Sequence, residues 1–276
     1  MANPRRKLHF GSYIFLTFVL IFTLFPVYYM VSVSFRSQSS LYINPSWLPV
    51  DLQIKNFVAV FQSDEFLNSL GNSLIISSVT TVVGLLFSVL AAYSLTILRY
   101  RGRDTLFRLI VVAFLTPSAL LFIPLAGIAS GLNLSNSLIG LILIYLSFVV
   151  PLGTYLLIGF FENLVGELED AARIDGASRL QALWYVLVPL IVPGMVAVGI
   201  LTFSASWNEL LYSLVINVNP DVRTLPVAIL NLMTADETPL SLIMAYSTMA
   251  SMPIVILFYV GQRYIVEGLQ TGAVKG

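Results

Sequence analysis

The feature that most constrains this sequence is a series of apolar runs, each about 20 residues long, along its whole length. A bilayer core ~30 Å thick requires about that many apolar residues of a spanning helix. Hydrophobic residues make up 58% of the chain and charged residues 10%, far from the composition of a soluble domain. No alternating pattern of the kind found in membrane barrels is present. The sequence therefore predicts an all-α, polytopic membrane protein.

Six transmembrane helices are predicted from the apolar runs. They cover residues 10–33, 70–97, 106–129, 137–160, 191–217 and 240–262. The first run is too long for the apolar region of a cleaved signal peptide, and no A-x-A site follows it, so we interpret it as an uncleaved span. No linker, repeat or low-complexity segment divides the chain, and we expect one membrane domain over residues 1–276.

The Lys and Arg residues fall unevenly on the two sides of the predicted membrane. Eleven lie on the N-terminal side and three on the other. The larger group comprises Arg5, Arg6, Lys7, Arg99, Arg101, Arg103, Arg108, Arg173, Arg179, Arg263 and Lys275; the smaller comprises Arg36, Lys55 and Arg223. Because cytoplasmic loops carry an excess of positive residues, both termini are predicted to be cytoplasmic. The polar insert at residues 161–190 is then cytoplasmic, and loops 34–69 and 218–239 face outward.

Several function classes are excluded by composition. The chain has no Cys and a single His, His9, in its N-terminal tail, which excludes disulfides, thiolate chemistry and Cys-ligated metals. A formal net charge of zero gives no basic footprint for nucleic acid. An intramembrane enzyme needs a nucleophile–base pair or metal ligands at membrane depth, where Glu209 is the one acidic or basic residue near mid-membrane. We expect no catalytic residue, metal or cofactor in this chain.

The insert at residues 161–190 begins with a predicted helix. Residues 167–175 favour helix, and Glu169 stands four positions before Arg173, the spacing of a stabilising ion pair. Gly176 follows, and glycine most easily adopts the positive φ that ends a helix. A tight elbow is predicted at this glycine.

A second helix is predicted directly after the elbow. Ser178 and Gln181 form an S-x-x-Q capping box. The positions of an apolar stripe follow at helical spacing: Leu180, Leu183, Trp184 and Leu187. Pro189 is predicted to end this helix and Pro193 to lie in the first turn of the next span.

Two interpretations of the insert remain open from helix patterns alone. It is either an amphipathic connector that lies on the membrane surface or a docking element for a partner protein. In the second case Ala171, Ala172 and Ala177 keep the first helix slim enough to enter a cleft.

The insert resembles the EAA loop of ABC importer permeases, whose pattern is E-A-A-x-x-D-G-A followed by an apolar-Pro turn. The matching residues here are Asp170, Ala171, Ala172, Asp175, Gly176 and Ala177, with Val188-Pro189-Leu190 after them. The first position holds Asp in place of Glu, which keeps the charge and shortens its reach. The resemblance implies that these residues couple the permease to an ATPase.

Three further segments resemble the carbohydrate-uptake branch of these permeases, related to the second membrane subunit of the maltose transporter. They are residues 72–103, the WNE triplet at 207–209 and the tail at 262–276. The resemblance implies a bacterial-type plasma (inner) membrane. It also implies a carbohydrate-type solute: an oligosaccharide, a polyol or a related glycoside.

The resemblance implies an assembly with several partners. These are a second permease chain, usually different, two ATPase subunits and an extracytoplasmic substrate-binding protein. This chain contains no G-x-x-x-x-G-K-S/T loop, so ATP and Mg²⁺ are expected on the partner ATPase. Closure of the ATPase dimer around the EAA loops would move the helices and alternate access, and the tail beyond Tyr264 would approach the ATPase.

A polar group in the fifth predicted span is the candidate translocation site. Its members are Ser206, Trp207, Asn208, Glu209 and Tyr212. On a continuous helix Ser206, Glu209 and Ser213 share one face. An intramembrane carboxylate is costly and usually faces a cavity or a polar partner. We predict that the group lines the pathway; the alternative is that Glu209 is protonated or paired in a subunit interface.

The rival function is an ion-coupled secondary transporter of small solutes. It calls for paired intramembrane charges or broken helices in matching halves. One mid-membrane carboxylate without a basic partner favours the ATP-driven importer.

Outer loop 218–239, with Asp221, Arg223, Asp236 and Glu237, is either a docking surface for the binding protein or a solvated connector.

Overall fold

The computed structural model describes residues 10–43, 48, 52–162, 167–235 and 238–273. Within these residues the chain is helical and contains no β-strand, as the all-α prediction requires. The helices are α1 (Phe10–Ser34), α2 (Gln38–Ile43), α3 (Lys55–Gln62), α4 (Asp64–Thr96), α5 (Arg103–Leu115), α6 (Phe122–Gly131), α7 (Leu138–Glu162), α8 (Glu167–Ile174), α9 (Arg179–Gln181), α10 (Val188–Trp207), α11 (Leu211–Ile216), α12 (Leu225–Thr234) and α13 (Leu240–Ala273). A π-helical turn, Ala182–Leu187, joins α9 to α10.

Five helical segments within the described ranges are long and apolar enough to cross a membrane. They are Gly11–Ser34, Asp64–Thr96, Leu138–Glu162, Arg179–Ile216 and Leu240–Tyr264. Each overlaps one predicted span. The second begins six positions earlier than predicted because Ser63 caps it: its hydroxyl accepts a 3.2 Å hydrogen bond from the N–H of Phe66.

The predicted span 106–129 is not one continuous helix. Helix α5 and the segment Ser118–Gly131 meet at 95°, so this pair is a broken span or a re-entrant loop. Pro117 explains the break, because it lacks an N–H and disfavours helical backbone at the residue before it. Thr116 accordingly has extended backbone, with φ −74° and ψ 119°.

The chain contacts group into two compact units. The first comprises Met1–Phe66 and Ile229–Ser251. Within it, the amide of Asn56 donates to the carbonyls of Ser34 and Arg36, at 2.9 and 3.0 Å. These bonds fix the turn that follows α1 to helix α3.

The second unit comprises Leu67–Ala228 and Met252–Gly276 and holds both clusters of buried apolar residues. The first cluster joins α4, α7, the π-helical turn and α10; it includes Val89, Tyr93, Leu157, Phe161, Leu183, Leu187 and Ile191. The second cluster joins α4, α6, α7 and α11 and includes Ile76, Ala129, Leu141, Tyr145 and Tyr212. These clusters position the two candidate sites. The single-domain organisation of the whole chain stays a prediction.

Candidate coupling loop and mid-span carboxylate

Helix α8 ends in a Schellman turn at the predicted glycine. Gly176 has φ +91°, its N–H bonds the carbonyl of Arg173, and the N–H of Ala177 bonds the carbonyl of Ala172. The two distances are 3.1 and 3.0 Å. The elbow predicted at Gly176 is confirmed.

The predicted capping box opens the second helix. The N–H of Gln181 donates to the Ser178 hydroxyl at 3.3 Å, and the Ser178 N–H donates to Oε1 of Gln181 at 2.8 Å. Both bonds satisfy backbone donors that the first turn leaves free. The connection between α8 and α9 is therefore fixed from both sides.

The prediction that Pro189 ends the second helix is wrong. The helix runs without interruption from Arg179 through the π-helical turn into α10, and Pro189 lies in the first turn of α10. Pro193, predicted for that place, lies inside α10. In the π-helical turn the Val188 N–H bonds the Leu183 carbonyl, five residues back, so the turn is wider than an α-turn.

The wider turn also changes which side chains point inward. Leu183 and Leu187 are buried as predicted, but Leu180 is 62% exposed and Trp184 38% exposed. The buried positions of this segment are Ala182, Leu183, Leu187 and Ile191. The predicted four-residue stripe is therefore half wrong. Its two buried leucines anchor the loop in the first apolar cluster.

The predicted coupling residues lie on the solvent-exposed side of α8 and its elbow. Asp170, Ala171, Asp175 and Gly176 are exposed, and Ala172 and Ala177 are half-buried. Ile174, which the sequence analysis does not single out, is 86% exposed at the last turn of α8. The tip of the loop thus offers two carboxylates, small side chains and one large apolar side chain.

The inner side of α8 carries a buried carboxylate. Glu169 is 4% exposed, and Oε1 accepts a 2.9 Å hydrogen bond from the Tyr93 hydroxyl of α4. Nε of Arg179 lies 3.9 Å from the same oxygen. Among the described residues the ion pair of Glu169 is with Arg179, so the predicted pair with Arg173 is wrong. This contact fixes α8 to both α4 and α9.

The mid-span group does not lie on one continuous helix. Helix α10 ends at Trp207 and α11 begins at Leu211, which separates Ser206 from Ser213 and overturns the predicted shared face. Glu209 occupies the break. It accepts hydrogen bonds from the N–H groups of Tyr212 (3.0 Å) and Ser213 (3.3 Å), in the first turn of α11.

Helix α7 also holds the Glu209 carboxylate. The Tyr145 hydroxyl donates a 2.7 Å hydrogen bond to Oε2 of Glu209, and Tyr145 itself is fully buried. Glu209 therefore caps α11 and joins it to α7 while its own side chain stays partly exposed.

The other members of the predicted pathway group divide into buried and exposed side chains. Ser206 is buried and donates to the Thr202 carbonyl at 3.0 Å. Trp207 is 4% exposed and stacks on Phe203, with ring centroids 5.6 Å apart. Tyr212 is also buried, whereas Asn208 is exposed. Only Asn208 and Glu209 of this group are open to the exterior of the chain.

Tyr212 connects the mid-span site to the broken span. Its hydroxyl donates a 2.6 Å hydrogen bond to the Ser118 carbonyl, directly after the break at Pro117. Its ring contacts Phe122 and Phe148, at centroid distances of 5.7 and 6.4 Å. The bond satisfies a carbonyl at the broken helix, which a membrane interior requires.

Four residues of the candidate sites are not predicted from the sequence: Tyr93, Tyr145, Glu169 as a buried anchor, and Ile174. Tyr93 and Glu169 are 76 positions apart, and Tyr145 and Glu209 are 64 apart, so no local spacing relates them. The available signal for Tyr93 and Tyr145 is a hydroxyl-bearing ring within an apolar span, since buried Tyr usually finds a polar partner. No group of three metal-ligating side chains occurs in the described parts of the chain.

A comparison with known families decides the identity of the chain. Residues 84–270 match the family model described as binding-protein-dependent transport system inner membrane component. The chain belongs to this family. The matched range contains α8, the elbow and the Glu209 site. Members of the family are transport components, so the predictions of an importer permease and of a non-enzyme are confirmed.

Relatives within the family match almost the full length of this permease. The sulfoquinovosyl glycerol transport system permease protein SmoH of Agrobacterium fabrum is 36% identical, over 94% of this chain and 91% of its own. The trehalose transport system permease protein SugB of Mycobacterium tuberculosis is 35% identical, over 94% and 95%. The diacetylchitobiose uptake system permease protein DasC of Streptomyces coelicolor is 32% identical, over 91% and 92%. The resemblance to the carbohydrate-uptake branch is confirmed.

A solved structure shares the fold of this permease. It is a chain of a bacterial ABC transporter involved in the import of the acidic polysaccharide alginate. The TM-score is 0.80 at 24% identity, and the match covers 96% of this chain and 99% of the other. The predicted permease fold, with its several apolar spans, is thereby confirmed.

Proposed function

We propose that this permease is one of two membrane subunits of an ATP-driven importer for a carbohydrate-type solute, an oligosaccharide, a polyol or a related glycoside. It forms half of the translocation pathway. Relatives named for sulfoquinovosyl glycerol, trehalose and diacetylchitobiose support the solute class. The observation that carries the proposal is the solvent-exposed tip of α8, whose opposite side is anchored to α4, in a member of a binding-protein-dependent transport family.

The orientation that we propose follows from the distribution of positive charge. Both termini and the loop with α8 lie in the cytoplasm, because eleven of the 14 Lys and Arg residues fall on that side. The membrane is a bacterial-type plasma (inner) membrane. The loop is then on the side where ATP is available.

Coupling to the ATPase runs through α8. The exposed tip, with Asp170, Ile174 and Asp175, enters a cleft in the ATPase subunit, and the small residues Ala171, Ala172 and Ala177 allow close approach. The inner side transmits the movement, because Glu169 bonds Tyr93 of α4 and Arg179 of α9. The ATPase can shift the permease between two conformations only by the difference in contact free energy that it makes with α8 in each of them.

The partners of this subunit are a second, different permease chain, two ATPase subunits that bind ATP and Mg²⁺, and an extracytoplasmic substrate-binding protein. Support for the binding protein comes from a structure of the bacterial alginate ABC transporter in complex with an alginate pentasaccharide-bound periplasmic protein. Its TM-score to this chain is 0.65. The ion-coupled alternative is not favoured, because the family is defined by dependence on a binding protein.

The binding protein docks on the loop after α11, whose carbonyls accept three hydrogen bonds from side-chain amides. The amide of Asn217 donates to the Val222 carbonyl at 2.9 Å, and Asn72 donates to the carbonyls of Asp221 and Arg223. Asp221 is exposed on this fixed loop. Asp236 and Glu237, the other candidates for this surface, lie outside the described residues.

The pathway passes the break between α10 and α11. Asn208 is exposed and Glu209 partly exposed there, so both can meet polar groups of a solute. Ser206, Trp207 and Tyr212 support the site from behind. A solute hydroxyl would bond the amide of Asn208 or the free lone pairs of Glu209.

The test of the proposed function is recovery of the complex together with a transport assay. The tagged chain is solubilised gently from native membranes, and its stoichiometric partners are identified by mass spectrometry. A second permease and a nucleotide-binding ATPase support the importer. Uptake of the solute must then stop on ATP depletion and persist when the ion gradient is collapsed. Recovery of the chain alone, with gradient-dependent uptake, would overturn the proposal.

A further inference from the structure

An open cavity of about 1520 Å³ lies beside α8, and apart from Glu169, Asp170 and Arg179 its charged lining residues have no role in the proposed coupling mechanism. Its wall consists of the end of α4, the turn at residues 97–102, the start of α5, the end of α7 and α8 itself. Six arginines line it: Arg99, Arg101, Arg103, Arg108, Arg173 and Arg179. The lining carboxylates are Asp104, Glu162, Glu169 and Asp170. The cavity therefore carries an excess of positive charge.

Within the part of the chain that the structure describes, two of these six arginines pair with a carboxylate. Arg103 pairs with Asp104 at 3.5 Å, and Arg179 pairs with Glu169 at 3.9 Å. For the other four arginines, no carboxylate of the described residues lies within ion-pair distance. Their guanidinium groups are available to an anion, and a guanidinium fork matches the oxygens of a phosphate better than it matches most other groups.

The cavity opens beside the ends of two apolar helices. Helix α4 is an apolar span that ends at Thr96, and α5 begins the broken span at Arg103. Arg99 and Arg101 lie in the turn between them, together with Leu98 and Tyr100. A basic cavity at this depth lies at the level of lipid headgroups, which are the most concentrated phosphates in its surroundings.

We propose that this cavity binds the phosphate-bearing headgroup of an anionic phospholipid. The phosphate bridges Arg99 and Arg101, on the turn after α4, to Arg173, on α8. One headgroup thereby links the coupling helix to the membrane surface. The lipid content of the membrane would then set how firmly α8 is held.

Lipid binding to the full-length chain tests the proposal. The chain is purified in neutral detergent and titrated with phosphatidylglycerol or with phosphatidylcholine of the same acyl chains, and bound lipid is counted by native mass spectrometry. We expect roughly tenfold tighter binding of phosphatidylglycerol. The combined variant Arg99→Gln, Arg101→Gln and Arg173→Gln should weaken that binding roughly a hundredfold. Arg263→Gln, which removes an exposed arginine outside the cavity, should retain it.

Two further measurements identify the source of the phosphate and test whether the triple variant is folded. Excess inorganic phosphate should not displace phosphatidylglycerol, because acyl chains add to the affinity of the lipid. The triple variant should keep the thermal midpoint of the unchanged chain in phosphatidylcholine. Stabilisation by inorganic phosphate alone, with phosphatidylglycerol no better, would overturn the lipid and assign a soluble anion.

Equal lipid retention by the triple variant and the unchanged chain would overturn the site altogether. Loss of the ATPase from the purified complex, with unchanged lipid retention, would also overturn it. The cavity would then be a protein contact.

Discussion

The hydroxyl of Tyr93 on α4 lies 2.9 Å from Oε1 of Glu169 on α8, and the carboxylate is 4% exposed. A buried carboxylate is tolerated only when it is paired and hydrogen-bonded, so this contact fixes the orientation of α8 against a transmembrane helix. It is the direct structural link between the proposed coupling loop and the membrane-spanning part of the chain.

Tyr93→Phe should lower the free energy of unfolding by about 1–3 kcal/mol, because it removes a donor and leaves part of a buried charge without its partner. Solute uptake per ATP hydrolysed should fall at the same time. The control is Tyr259→Phe, whose ring is 74% exposed on α13. Thermal unfolding in detergent and the coupling ratio in proteoliposomes measure both effects. Equal behaviour of the two variants would contradict the anchoring role of Tyr93.

Gly176→Ala should destabilise the elbow by about 1–2 kcal/mol, because φ is +91° there and an L-residue is disfavoured in that region. An added Cβ would meet no atom within 4 Å, so backbone strain is the only cost. Gly127→Ala is the matched control: its Cβ also enters open space, but on helix α6, where Ala is the better helix former. Thermal midpoints should therefore shift in opposite directions. A shift in the same direction for both variants would refute the strain argument.

Glu209→Gln should lower the free energy of unfolding by about 1–2 kcal/mol, because the amide retains one oxygen where three donors now bind the carboxylate. Solute uptake should fall while the partners still copurify. Asn208→Ala separates the two roles, since among the described residues the hydrogen bond of the Asn208 side chain is to the Ser204 carbonyl of α10. Unchanged stability of Glu209→Gln would show that the carboxylate is not a cap.

Gly194→Ala should destabilise the packing of α10 by about 1–3 kcal/mol. A Cβ at Gly194 would lie 2.5 Å from Cδ1 of Phe160 on α7, so the ring would have to move. Gly159→Ala, which meets open space, serves as the control. The double variant Gly194→Ala, Phe160→Leu should recover part of the loss, and a double-mutant cycle measures the coupling. Additive effects would contradict a direct clash.

Hydropathy predicts where the spans lie, because membrane thickness sets the length of an apolar run. The elbow at Gly176 and the Ser178 cap are also predictable, since each depends on residues that are close in sequence. The break at Pro117 follows from a residue visible in the sequence, but apolar composition continues across it and conceals the change of direction.

The contacts that hold the two candidate sites together could not be predicted. The partner of Glu169 follows from how α4 packs against α8, and the local Arg173 is a plausible but wrong choice. The π-helical turn shifts the buried positions after Gln181, so a count at α-helical spacing assigns Trp184 to the wrong side, and Leu180, which lies before that turn, is exposed as well. The side-chain partner of Glu209 at the break is likewise Tyr145, which helix α7 supplies from elsewhere in the sequence.

The most direct test of the central claim is site-specific cross-linking from the tip of α8. The chain has no Cys, so Ile174→Cys provides a single reactive thiol at a position that is 86% exposed. Ile43→Cys, at a position that is 83% exposed and on the proposed outer side, is the matched control. A thiol-directed photoreactive cross-linker in native membranes should join Ile174→Cys, and not Ile43→Cys, to the ATPase, with a yield that changes on addition of ATP. Absence of an ATPase adduct at Ile174→Cys, in a complex that still hydrolyses ATP and transports its solute, would contradict coupling through α8.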